Sequence, residues 1–334
     1  MAIALTGCSN EDVILQGEVS TDTDSFYTVS FGTADFDLSN ETRASSDKTI
    51  YGINIEYYKN GTRQGYYAYG LFDDMSQASI TLIGGYTYNF TCSIVRAPGS
   101  GHRLWYGPYS KNSFSGYADP FQLNSSVSTQ CLNKFVEGTS SYLSGLGTGT
   151  SVCVDNSTAG YGEKKFPKLE RYYGKLEGFN PATDGTHVVI PVNKAYFGCK
   201  LILKGVKDGT LSTSSSNSDM YFLTSSTTTE DKVTEERIYT FQDVASCWTN
   251  PSYSLSTTLN YTYISNRQNE KGSPTLWNLS GSKTITFKRN VMTTITVSVT
   301  EDLSGASIGI GSETLGDDNE IEFGVDDNYS LYQK

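Results

Sequence analysis

Apolar residues along this chain recur at every second position, in short runs separated by Gly, Ser, Asn and Asp. Side chains of an extended strand alternate between its two faces, so this period marks half-buried β-strands. In Ser25 to Phe31 it places Tyr27, Val29 and Phe31 on one face. Tyr51, Ile53, Ile55 and Tyr57 share a face of the next run, which stops at Lys59-Asn60-Gly61. Asn-Gly is a strong hairpin signal because both residues tolerate positive φ. Tyr66, Ala68 and Leu71-Phe72 supply the returning strand, and after Gly84-Gly85 the series Tyr86, Tyr88, Phe90, Cys92 and Ile94 alternates without a break. From Pro98 to about Lys168 the spacing fades into Gly, Ser and Asn. That segment reads as a long exposed loop of the kind that carries recognition, with a short helix expected somewhere between Cys131 and Leu146.

A second series begins at His187-Val188-Val189-Ile190-Pro191-Val192. Gly198 to Val206 reads as a strand ending at Asp208-Gly209, and residues 211–230 form a Ser/Thr-rich stretch. Further strands are expected at Arg237 to Phe241, Leu259 to Ile264 and Lys283 to Lys288. Thr293 to Val299 alternates cleanly, with Ile295, Val297 and Val299 inward, and Ile308 to Ile310 and Ile321 to Phe323 close the chain. Residues 179–186, Phe-Asn-Pro-Ala-Thr-Asp-Gly-Thr, have linker composition. The pattern therefore predicts an all-β chain: a polar leader over 1–24, one β-sandwich over 25–186 and a second over 187–334.

Composition sharpens this picture. The 334 residues hold 24 Tyr and 32 Gly, and only 18% are charged, which suits pleated surfaces joined by many turns. The net charge of −11 comes without a basic stripe, so a nucleic-acid partner is not expected. Six cysteines stand at 8, 92, 131, 153, 199 and 247 with no Cys-x-x-Cys spacing, and no metal or other cofactor is expected. Cys92 and Cys199 fall inside strand-like runs, where a free thiol serves as a small apolar side chain.

Candidate chemistry is sparse. His102 and His187 are the only histidines and fall in different expected domains, which does not suit a nucleophile–histidine pair. Gly145-Leu146-Gly147-Thr148-Gly149 lacks the Lys, the preceding strand and the following helix of a phosphate loop. The pairs Asp73-Asp74, Asp317-Asp318 and Asp326-Asp327 lack the spacing of a calcium loop or of glycosidase carboxylates. No catalytic constellation assembles, and the chain reads as a non-enzyme.

The N-terminus carries the most specific short motif. Leu5-Thr6-Gly7-Cys8 resembles a bacterial lipobox, in which the Cys receives lipid and becomes the first mature residue; here that is Cys8, followed by polar Ser9-Asn10-Glu11-Asp12. Six residues precede Gly7 and none is basic, so the first part of the signal is expected upstream of the given start. Residues 9–24 then read as an acidic tether. A lipid anchor in the outer membrane is the expectation, because no other apolar run approaches the ~18 residues of a membrane span.

Taken in order, several stretches resemble the fimbrillin family of Bacteroidetes, whose members build, anchor or cap type V pili. They are the lipobox, the tether, one short strand and the Thr42-Arg43-Ala44 loop, followed by Tyr51 to Tyr58, Leu82 to Phe90 and Thr286 to Val297. The resemblance implies two transthyretin-like β-sandwiches, a cell-surface or fimbrial location and other fimbrial subunits as partners. It further implies adhesion to host or bacterial surface ligands. In polymerising members an arginine-specific protease removes the first strand, and an extended segment of another subunit fills the groove. Carried over, the cut follows Arg43 and leaves Ala44 first, residues 25–31 are the removed strand, and Ile321 to Lys334 is the candidate donor. Taken alone, Arg43 reads equally as a solvated loop arginine. A second reading, a surface glycan-binding lipoprotein, rests on Trp105, Tyr106 and Tyr109, three rings close together in one loop.

Overall fold

The computed structural model describes residues 25–34, 48–97, 103–105, 120–124, 129–138, 140–148, 153–155, 170–205, 209–216, 226–228, 232–265, 278–299, 306–314 and 329–331. Most of them are strand. β1 (Phe26–Ala34), β2 (Lys48–Lys59) and β3 (Thr62–Phe72) lead into a 3-10 turn at Met75–Gln77, then β4 (Ser79–Ile83) and β5 (Thr87–Ala97). Three short strands follow, β6 (Arg103–Trp105), β7 (Lys134–Glu137) and β8 (Cys153–Asp155). Next come β9 (Glu170–Phe179), β10 (Thr186–Pro191), β11 (Asn193–Lys194), β12 (Tyr196–Lys204), β13 (Gly209–Ser215), β14 (Ser226–Thr228) and β15 (Lys232–Thr240). A short helix, α1 (Val244–Thr249), precedes β16 (Ser254–Ser265), β17 (Asn278–Lys288), β18 (Val291–Val299), β19 (Ala306–Thr314) and β20 (Tyr329–Leu331).

Asn60 and Gly61 take φ of 50° and 78°, the left-handed geometry that closes the β2–β3 hairpin. These two strands sit in a six-stranded sheet of order β11-β9-β5-β2-β3-β7, which faces a three-stranded sheet of order β10-β1-β4. Between them lie Ile53, Ile55, Phe90, Cys92 and Ile94 from the larger sheet, and Val29, Phe31, Leu82, Val188 and Ile190 from the smaller. All five positions of the 86–94 alternation face this core, as the period requires.

A five-stranded sheet of order β15-β12-β18-β19-β20 and a four-stranded sheet of order β14-β13-β16-β17 form the second pair. Leu201, Leu203, Ile295 and Val297 meet Leu259, Tyr261, Ile285 and Phe287 there. In both pairs one strand couple runs parallel, β1 with β10 and β12 with β18, which no hairpin can produce.

The chain departs from its sequence reading in three places. The division expected near residue 186 meets β10, which pairs with β1, and β11, which pairs with β9; the chain enters the second pair of sheets only at β12. Residues 179–186 accordingly turn from β9 into β10 rather than linking domains. No helix occurs among the described residues between Cys131 and Leu146; β7 lies there and pairs with the open edge of β3, which satisfies its backbone.

The segment read as exposed loop is also partly core. The outward face of the six-stranded sheet carries Ile50, Leu71, Val95 and Tyr173, and Phe121, Leu143 and Leu146 cover it. Phe121 lies against Gly52, where a Cβ would stand 2.6 Å from its ring. Asn54 pairs with Leu143 like a strand backbone: its Nδ2 donates to the Leu143 carbonyl at 2.8 Å and its Oδ1 accepts the Leu143 N–H at 2.9 Å.

Candidate functional site

β1 is the most unusual element of the fold. It is the first described segment of the chain, yet it lies in the middle of its sheet, parallel to β10 on one side and antiparallel to β4 on the other. A strand at a sheet edge is held by one ladder. This one is held by two. Val29 is paired with both Thr186 and Ile80, and Ser30 with both His187 and Ser79.

Alternation decides what β1 buries. Val29 is fully buried and Phe31 is 3% exposed. The Phe31 ring meets Phe90 edge-on at 5.1 Å and Phe135 at 5.3 Å. Its N–H donates to the Ala78 carbonyl at 3.0 Å. The outward residues are polar or open, and Phe26 is 61% exposed at the strand's start.

Polar clamps hold the strand from the β10 side. The Thr28 N–H donates to Asp184 Oδ1 at 2.7 Å, and the Gly185 N–H donates to the Thr28 carbonyl at 2.8 Å. Ser30 Oγ and His187 Nδ1 stand 2.9 Å apart, and the His187 ring lies over Gly32, where a Cβ would fall 2.6 Å from Nε2. At the other end the Gly84 N–H donates to the Ser25 carbonyl at 2.6 Å. Asp184 and Gly185 belong to the stretch read as a linker. Their Asp-Gly composition signalled a turn, and nothing local signalled that the turn holds a distant strand.

Without β1 the same elements would line a trough. Its walls would be β10 and β4, each with a row of unpaired backbone groups and with Leu82, Val188 and Ile190 turned toward the core, and its floor Phe90 and Phe135 of the facing sheet. The floor is apolar, and burial pushes the Cys92 thiol within it up to about 12. Tyr88 fixes the end of β4: its hydroxyl donates to the Ile83 carbonyl at 3.0 Å and accepts the Ile83 N–H at 2.9 Å. Burial holds that phenol protonated far above its usual range. Such a trough can accept an extended segment with alternating apolar side chains.

Of the residues singled out in the sequence, Cys8, Arg43, Ala44, Tyr106 and Tyr109 lie outside the described residues. So do Ile321 to Asn328 and Tyr332 to Lys334 of the candidate donor; its Tyr329–Leu331 forms β20, paired with β19. Trp105 is described for its backbone, in β6, where it pairs with Cys153 of β8. Among the described residues, no group of His, Cys, Asp and Glu could hold a metal ion, and no helix is long and apolar enough to cross a membrane.

No protein-family model and no curated protein matches the chain. Among solved structures it overlaps a candidate cell adhesion protein from Bacteroides eggerthii over 87% of this chain and 96% of that one, at 10% identity and a TM-score of 0.38. The fimbrial anchor protein Mfa2 from Porphyromonas gingivalis overlaps 86% of this chain and 97% of its own, at 8% identity and a TM-score of 0.30. A fimbrial assembly protein from Parabacteroides distasonis overlaps 86% of this chain and 95% of its own, at 8% identity and a TM-score of 0.28.

Proposed function

We propose that the chain is a fimbrial subunit or accessory protein of the bacterial surface, assembled by exchange of its first strand and serving adhesion rather than catalysis. The observation that carries this reading is the position of β1: a terminal segment inserted between two strands, joined to β2 through the residues that include Arg43. Cleavage after Arg43 would free β1 from the rest of the chain, leaving only non-covalent contacts to hold it.

Magnitudes favour replacement over simple loss. Burying Val29 and Phe31 contributes roughly 1.5–3 kcal/mol each, and the two ladders add to that. A domain has only about 5–15 kcal/mol of net stability, so an empty trough would be close to unfolding. A strand from another subunit would restore both ladders and refill the floor. Because donor and acceptor surfaces differ, the contact is head-to-tail and grows into a filament. In this reading Cys8 carries the lipid that anchors unprocessed or terminal subunits to the outer membrane.

The test is the mature N-terminus, read by mass spectrometry from the outer-membrane fraction and from sheared surface material. Ala44 as the first residue in sheared filaments is the expected result. A terminus at lipidated Cys8 alone, with nothing in the sheared fraction, would remove the polymerising role.

A further inference from the structure

On the face of the six-stranded sheet opposite β1, β9 and α1 enclose an open cleft of about 460 Å³. Side chains of Arg171, Tyr173, Lys175 and Glu177 follow one another along this face of β9; the first two are buried, and exposure rises through Lys175 to Glu177. The opposite wall is the outward side of α1, with Ser246, Trp248 and Thr249.

The helix is fixed in place on three sides. Asp243 caps it, accepting the Ser246 N–H at 3.0 Å. The Ala245 N–H donates to the Gly147 carbonyl at 3.0 Å, and Val244 and Cys247 are buried in the core. With those two turned inward, the half-buried Trp248 leans on the core and borders the cleft.

We infer that this cleft binds a neutral saccharide. Lys175, Glu177 and Trp248 line one concavity of small-ligand size, together with Leu176, Ala245, Ser246 and Thr249. Among the described residues neither Lys175 nor Glu177 is engaged in an ion pair, and the Trp248 indole N–H has no hydrogen-bond acceptor. A phosphate or sulfate would meet Glu177, and a cation would meet Lys175. A ring bearing hydroxyls satisfies all three groups: hydroxyls donate to the carboxylate, accept from the ammonium and the indole N–H, and the C–H face of the sugar packs on the aromatic plane. The net charge of −11 disfavours acidic glycans and leaves neutral hexoses and N-acetylhexosamines. The cleft does not involve β1, so this inference stands or falls separately from strand exchange.

The test is titration of the full chain with methyl glycosides of glucose, galactose, mannose and N-acetylglucosamine, and with short neutral oligosaccharides, by calorimetry and tryptophan fluorescence. Saturable binding of at least one is expected, weakened about tenfold or more by Lys175→Ala and by Glu177→Gln. Trp248→Phe should abolish the fluorescence response while keeping some binding. The chain has three tryptophans, so that variant also assigns the signal. Because Lys175 and Glu177 lie at the cleft mouth, their variants keep the test decisive if a Trp248 variant fails to fold. Absence of saturable binding across the panel overturns the inference, as does binding that all three variants leave unchanged. Capture of an extended peptide by the cleft, with no sugar bound, would overturn it too.

Discussion

Arg171 and Arg63 show how far the environment sets what one residue type contributes. Arg63 pairs with Glu56 at 2.6 Å, but its side chain is 44% exposed, so the pair is screened and Arg63→Ala should cost at most about 1 kcal/mol. Arg171 is fully buried. Its Nε donates to Ser93 Oγ at 2.9 Å, and its Nη2 donates to the carbonyls of Leu146 at 2.8 Å and Thr148 at 3.3 Å. It thereby ties the covering segment to β9 and β5. Arg171→Leu relieves the desolvation of a buried charge but leaves those acceptors behind without a donor, at about 1–3 kcal/mol for each one orphaned. The loss should win. Urea denaturation should show a midpoint lowered by about 2 kcal/mol or more of stability with an unchanged slope, and an unchanged midpoint would defeat this account. None of this was legible beforehand. Arg171 lies in β9, a strand that the apolar alternation did not mark, and its partners lie far away in sequence.

At the scale of elements, the crossing from β10 to β11 makes the closest approach to any described glycine. The chain steps there from the small sheet into the large one, directly over Gly174 of β9. A Cβ on Gly174 would stand 1.8 Å from the Pro191 carbonyl oxygen and 2.8 Å from Val192 Cα. These are backbone atoms and cannot rotate away, so Gly174→Ala should cost about 1–3 kcal/mol or more and loosen β10. Because β10 is one of the two strands that hold β1, amide exchange at Val29 and Phe31 should accelerate with it. Gly309→Ala is the control, since its added Cβ meets only Thr296 Cβ at 3.9 Å and should leave stability nearly unchanged. Equal effects of the two substitutions would count against the crossing as the constraint. Most long strands were legible as period-two runs. β13 and β14 were not, because in the Ser/Thr-rich stretch both faces carry similar side chains. Nor was α1, whose 6 residues are too few to establish a helical period.

For the whole molecule, the many buried hydroxyl and thiol groups make stability depend on alkaline pH. Burial pushes the thiols of Cys92 and Cys247 from 9.0 up to about 12, and the phenols of Tyr67 and Tyr173 from 10.0 up to about 12. Between the lower and upper values the unfolded chain has released protons that the folded chain still holds. The unfolded state then binds fewer protons, so stability falls as pH rises through this window and is fully present below it. Urea midpoints should drop progressively above about pH 9, and phenolate absorbance should develop in two phases, the second coinciding with unfolding. A midpoint that stays level from pH 9 to 11 would refute the prediction. By itself the sequence determined that the chain is all-β and, for its clean runs, which side chains point inward, because alternation is a property of a single strand. The tertiary structure alone decided that β1 lies between β10 and β4 and that part of the 98–168 segment covers a sheet. It also decided that Trp248 lines the same cleft as Lys175 and Glu177. The physical reason is that a strand's hydrogen-bond partners, and the surface that covers its outer face, belong to other segments. A period of two residues carries no information about which ones.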